Sequence, residues 1–114
     1  MNAIKNKVQL VGNLGSDPIV KTFESGRKLA QFRLATNEKL KNKAGDRVEE
    51  TQWHNIIIWG KLATIAERYL IKGSEVIIEG KLSYRKYEGK EGVSKFISEV
   101  VCNELLLIDK KATA

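Results

Sequence analysis

At 114 residues, with 42% hydrophobic and 30% charged residues, the chain is long enough for one packed core, too short for two, and too apolar to stay disordered. No apolar run approaches the roughly 18 residues of a membrane-spanning helix, and the opening Met-Asn-Ala-Ile-Lys-Asn-Lys-Val has no apolar segment of the secretory kind. Lysine and arginine number 20 against 14 acids, a net charge of +6, which favours polyanionic partners without defining a fold.

Residues 5–12 alternate Lys7, Gln9 and Val11 with Val8, Leu10 and Gly12, the pattern of a first strand. Asn13-Leu14-Gly15-Ser16-Asp17-Pro18 follows as a turn cluster, and residues 19–23 resume an extended segment. Glu24-Ser25-Gly26-Arg27 is a compact turn before a second strand at 29–36, with Ala30, Phe32 and Leu34 inward and Gln31 and Arg33 outward. Residues 37–50 are polar apart from Leu40, Ala44 and Val48, carry Lys39, Lys41, Lys43 and Arg47, and read as a long mobile hairpin loop.

Residues 51–60, Thr-Gln-Trp-His-Asn-Ile-Ile-Ile-Trp-Gly, hold both tryptophans and the one histidine. Their β-branched and aromatic content predicts a third strand. Alternation puts His54, Ile56 and Ile58 on the core face and Trp53, Asn55, Ile57 and Trp59 on the other. That second face is either ordinary packing or a platform on which flat ligands stack, its two indoles about 20 Å apart.

Residues 61–72 space Leu62, Ile65, Ala66 and Tyr69 as the stripe of an amphipathic helix, closed by Gly73 as a left-handed cap. A fourth strand at 75–82 carries Gly80 as a bend or bulge. Residues 83–95 form a hairpin in which Tyr84-Arg85-Lys86-Tyr87 precede a Glu88-Gly89-Lys90-Glu91-Gly92 turn, and 96–108 are the last strand. Cys102 lies in that strand as a small hydrophobe. Being alone, it excludes an internal disulfide framework and a zinc site, and an intracellular protein is expected. One helix between the third and fourth of five antiparallel strands is the layout of an OB-fold, an all-β Greek-key barrel that binds oligonucleotides or oligosaccharides. It is expected to fill 1–109 as a single domain, with a short basic end at 110–114.

Catalysis finds no support in this sequence. His54 and Cys102 stand alone, Glu49-Glu50 are adjacent on a loop, and no phosphate-binding glycine loop or dinucleotide fingerprint occurs. No metal or cofactor is expected. Binding fares better, because aromatics interleave with cations at Trp53, Trp59 and Lys61, along 39–47, and at Tyr84-Arg85-Lys86-Tyr87. Recognition of single strands uses this pair of ingredients: cations follow phosphates while rings stack on unpaired bases. Phe32, Tyr69 and Phe96 fall on apolar faces and are expected to fill the barrel; Phe23 has no assignment.

Several stretches resemble the bacterial single-stranded DNA-binding proteins. They are Asn6-Lys7-Val8 with Leu10-Val11-Gly12-Asn13-Leu14-Gly15 and Asp17-Pro18, then Leu34-Ala35-Thr36 and Thr51-Gln52-Trp53-His54. Gly60-Lys61-Leu62-Ala63, Tyr69-Leu70 with Lys72-Gly73-Ser74, Ile78-Glu79-Gly80, Arg85-Lys86 and Glu99-Val100-Val101 continue the series in the family's order.

The resemblance implies a homotetramer of OB-folds, with a dimer as the alternative. It would coat single-stranded DNA without reading sequence, in replication, recombination and repair, in the cytoplasm with the nucleoid and away from membranes. It matches Trp53, Trp59 and Tyr87 to stacking aromatics and Lys61, Lys72, Arg85 and Lys86 to basic positions along the DNA path, with Lys7, Lys21 and Lys43 beside them. His54 matches a subunit-interface histidine, and the strand carrying Lys5, Lys7, Gln9 and Val11 is similar to the one that pairs between subunits. Leu40 stands where a further stacking aromatic is common. The end at 108–114 is basic where the family carries an acidic tip, so recruitment of replication and repair enzymes through such a tail is not expected. A primosome-type accessory acting mainly through protein contacts is the alternative.

Overall fold

The computed structural model describes residues 5–108; the basic end expected at 110–114 lies outside them. In order the elements are β1 (Val8–Leu14), β2 (Ile19–Thr22), β3 (Lys28–Lys41), β4 (Arg47–Trp59), α1 (Lys61–Tyr69), β5 (Glu75–Glu88) and β6 (Ser94–Ile108). The sheet runs β1-β5-β6-β4-β3-β2, and a further β1–β3 pairing at Asn13↔Ala35 and Leu14↔Leu34 closes it into the expected five-stranded barrel, with β2 added on the edge of β3. The strands are not all antiparallel. β4 and β6 meet in a parallel seam, Ile56↔Val100, Ile57↔Val101 and Ile58↔Cys102.

Alternation on β3 and β4 places the core as predicted: Ala30, Phe32, Leu34, Ile56 and Ile58 are buried with Val76, Ile78 and Val100. Cys102 is buried among them, and loss of hydration pushes its thiol up to about 11. Gly80 sits at the register shift between β5 and β6, where the Val101 carbonyl leaves no room for a Cβ.

Five expectations change. β1 runs on through Asn13 and Leu14, because Gly12 lets the Ala35 carbonyl approach and close the barrel, so the turn begins at Gly15. The long loop at 37–50 is mostly a paired ribbon, with only 42–46 left as its turn. There the Asn42 Oδ1 accepts the N–H groups of Ala44 and Asp46, and Gly45 takes φ +86°. A two-stranded ribbon wet on both faces needs no apolar alternation, and backbone pairing with opposite charges such as Lys39↔Glu49 holds it.

α1 is rotated from the predicted stripe. Ala63, Ala66 and Leu70 are buried against the barrel end with Leu62 beside them, while Ile65 and the 57%-exposed Tyr69 face out. Small alanines let the helix approach the strands closely, which larger side chains at those positions would prevent. Gly73 does not cap the helix, which ends at Leu70 in extended conformation with its N–H on the Ala66 carbonyl. Gly73, at φ +90°, turns the chain so that its N–H reaches the Leu14 carbonyl. Finally, Phe96 is 71% exposed. It lies where β5 and β6 have left the barrel as a two-stranded arm, which no third layer covers among the described residues.

Candidate nucleic-acid interface

Antiparallel partners share a face. The register Ala35↔Trp53, Arg33↔Asn55, Gln31↔Ile57 and Leu29↔Trp59 therefore lays both tryptophans, an arginine and two amides on one side of β3 and β4. Ile19↔Gln31 and Lys21↔Leu29 extend that side onto β2. Trp53 is 49% exposed, and its ring rests on the backbone of Gly15, whose N–H donates to the Arg33 carbonyl. The Arg33 guanidinium carbon stands 4.8 Å from the Trp53 ring centroid. Trp59 is more enclosed. Phe23 stacks on it with centroids 5.8 Å apart at 29°, and Arg27 stands 4.1 Å from its centroid. Lys21 is 6.0 Å from the Phe23 ring, so the residue without an assignment joins this cluster.

A groove of about 350 Å³ leads from this face to the β5–β6 arm, lined by Ser16, Gln31, Arg33, Asn55, Ile57, Arg85, Ile97 and Glu99. The Arg85 Nη2 and Nε atoms donate to one oxygen of Glu99 at 2.8 and 3.2 Å. Glu99 is buried, and its hydrogen bonds raise the pKa of Arg85 above the ordinary arginine value. Tyr87 lies two residues further on the same side of the arm, opposite Lys95.

The other predicted cations divide. Lys21 belongs to the tryptophan face, and Lys43 stands at the turn of the β3–β4 ribbon. Lys61 opens α1, and Lys72 lies in the turn after it, where its backbone N–H donates to Asp17. Lys86 is on the reverse of the arm, opposite Phe96 and beside Tyr84. Lys7 pairs with Glu79 at 2.6 Å, on the outer side of β1 and β5 away from the tryptophans. Leu40 lies opposite Val48, on the ribbon face turned away from Trp53.

The expected interface residues gather elsewhere. Lys5 is exposed just before β1, whose second edge is unpaired until Asn13 among the described residues. Val11↔Ile77↔Leu106 forms an apolar row on the outer sheet face, with Gln9↔Glu79↔Glu104 beside it; Val11 is 50% exposed and Leu106 60%. His54 is half-buried on the opposite side of β4 from Trp53, its Nε2 3.0 Å from the Thr36 hydroxyl.

Alternation alone places Asn55 on this face, but it singles out none of Arg27, Arg33, Phe23 or Gln31. The outward phase of Gln31 and Arg33 was readable, but their nearness to Trp53 depends on the β3–β4 register. Chemically, the face offers flat rings beside fixed cations, with a groove between them and the arm.

Comparison with known proteins agrees with this geometry. The chain is 45% identical over 103 residues to the single-stranded DNA-binding protein of Xanthomonas campestris pv. campestris, covering 90% of this chain and 60% of that one. It is 43% identical over 107 residues to single-stranded DNA-binding protein 1 of Chlorobaculum tepidum, covering 93% and 66%. It thus spans less than two thirds of the length of these relatives. The structure superposes on a Plasmodium falciparum SSB solved in complex with ssDNA, with a TM-score of 0.84 and 31% identity over 91% of this chain and 95% of that one. Residues 5–108 match the single-strand binding protein family. The barrel, its closure and the order of its motifs place the chain in that family.

Proposed function

We propose that the chain binds single-stranded DNA without reading its sequence. Bases stack on Trp53, Trp59 and Tyr87, while Lys21, Arg33, Lys61 and Arg85 neutralise phosphates, with Lys43 and Lys72 further along the path and Lys86 met where the strand passes round to the reverse of the arm. The observation that carries this reading is the continuous surface from Trp59 past Trp53 and through the groove to Arg85 and Tyr87. A duplex hides its base faces, so a surface built from exposed rings suits unpaired strands, each stacked base contributing about 1–3 kcal/mol. Lys7, held by Glu79 on the outer face, leaves the proposed path and belongs with the subunit interface.

The working form is a homotetramer. The edge of β1 left open among the described residues suits pairing with a second β1, and the apolar row of Val11, Ile77 and Leu106 suits packing between two such sheets, with His54 near the junction. Four copies carry +24 (4 × 6), a repulsion that DNA relieves. The setting is the cytoplasm, at the nucleoid, in replication, recombination and repair, with the barrel as the single binding domain.

The test is tryptophan fluorescence during titration with oligo-dT, at low and high salt, with duplex as control. Saturable quenching by oligo-dT alone is expected, with a log–log salt slope of about −0.7 per phosphate contact. No quenching together with no gel shift would overturn the reading.

A further inference from the structure

Each tryptophan of the proposed path already has an arginine over its ring: Arg33 stands 4.8 Å from the Trp53 centroid and Arg27 4.1 Å from that of Trp59. We propose that these guanidiniums occupy the stacking sites in the free protein and exchange with incoming bases, each leaving its indole for the phosphate beside the base it admits. The proposal rests on the reading of the chain as a single-strand binder.

Three observations support it. Arg85, Lys7 and Lys28 place their charge on carboxylates, whereas Arg27 and Arg33 rest on aromatic rings. A planar guanidinium covers an indole much as a base does. A base approaching the half-exposed Trp53 from that side therefore meets Arg33 first. The two arginines also come from different elements, the turn before β3 and β3 itself, yet make the same contact.

The relative strengths set the direction of exchange. A cation on an exposed indole is worth about two- to fivefold in an equilibrium constant. A stacked base is worth roughly five- to 140-fold, so the base wins and the arginine is released. Arg33 lines the groove that also holds Arg85, so a phosphate entering there is beside the departing side chain. Neutralising that phosphate adds a salt-dependent gain. Stacking and charge neutralisation are thereby coupled through one side chain at each indole.

The test compares the wild-type chain with R33A, R33K, R27A and R27K in oligo-dT binding from about 0.1 to 1 M salt, and in acrylamide quenching of the free proteins. R33A should flatten the log–log slope by about 0.7. Its line should cross that of the wild type and end about two- to fivefold tighter at high salt, where the phosphate contact is screened but the cap no longer has to be displaced. R33K should keep the slope and show the same high-salt gain, and R27A and R27K should repeat the pattern at Trp59. The free alanine variants should be quenched more readily by acrylamide. An arginine that only contacts phosphate gives lines that merge at high salt without crossing. One that stays in place under the base gives weaker binding at every salt. Either result, or unchanged acrylamide quenching, would overturn the exchange. Failure of the wild type itself to bind oligo-dT would overturn the single-strand reading and the exchange with it, while the acrylamide arm still reports whether the caps exist.

Discussion

The indole of Trp53 lies so close to Gly15 that a methyl group at residue 15 would stand 2.5 Å from Cζ3 and 2.9 Å from Cη2. The glycine is there for the ring and not for its own backbone, since it does not take positive φ. Gly15→Ala should therefore shift the half-exposed ring and spare the barrel. We expect unfolding free energy to stay within about 1 kcal/mol of wild type in urea titrations. Tryptophan emission should shift and oligo-dT affinity fall about fivefold, the lower end of one stacking contact. Gly12→Ala is the contrast. Its methyl meets the Ala35 carbonyl, which cannot move without opening the β1–β3 closure, and about 1–3 kcal/mol should be lost.

Arg85 and Glu99 form a second such pair, at 2.8 Å, with the carboxylate buried and the guanidinium half in water. Glu99→Gln keeps the shape and one acceptor while releasing the charge of Arg85. Stability should fall by about 1–2 kcal/mol, yet low-salt affinity for oligo-dT should rise and the salt slope steepen by about 0.7. Arg85→Ala leaves a buried carboxylate unpaired in the groove, and should lose stability as well as binding. Urea unfolding and salt titrations of both variants separate the two roles.

Cys102 gives the fold a pH dependence of defined sign. Its thiol stays protonated to about 11 in the native state, while an unfolded thiol ionises near about 8.5. Between these values the unfolded chain binds fewer protons, so stability falls as pH rises, and below that window the residue contributes no slope. Cys102→Ala should remove this part of the decline, read as the difference between wild-type and variant unfolding curves from about pH 8 to 11. Native Cys102 should also resist alkylating reagents that label it at once in urea.

The apolar row on the outer sheet face predicts where assembly breaks. Leu106→Glu or Val11→Glu puts a carboxylate into the proposed contact between sheets, where burying it unpaired costs several kcal/mol. Sedimentation should show a smaller species for both variants while the circular dichroism of the barrel is unchanged. A wild-type chain that sediments as a monomer at all concentrations would contradict this interface.

The sequence was legible where one face of an element is buried. Ile56, Ile58, Phe32 and Leu34 announced the core by alternation, and Gly80 its bulge. It misled where burial gives no signal. The charged ribbon at 37–50 pairs through backbone alone, and Phe96 sits on an arm with nothing above it. In α1 the apolar spacing fitted two phases, and only the close approach to the barrel selects the one led by Ala63 and Ala66. At the candidate interface Trp53 and Trp59 stood out by type. Arg27, Arg33 and Phe23 did not, because their role comes from which strand lies beside which. Their side chains meet the indoles across a register that no local pattern encodes.

The parallel seam between β4 and β6 sets a schedule for biosynthesis. β6 leaves the ribosome after the rest of the barrel, and it supplies both the partner of β5 and the residues, Val100 to Cys102, that join Ile56 to Ile58. Until it emerges the barrel stays open beneath Trp53 and Trp59, and the nascent chain exposes isoleucines to solvent. Closure then waits on contacts far apart in sequence, the slow kind of step for a β-rich chain. Nascent fragments should therefore need chaperones and bind no nucleic acid, and binding should switch on only once residue 102 has emerged from the ribosome.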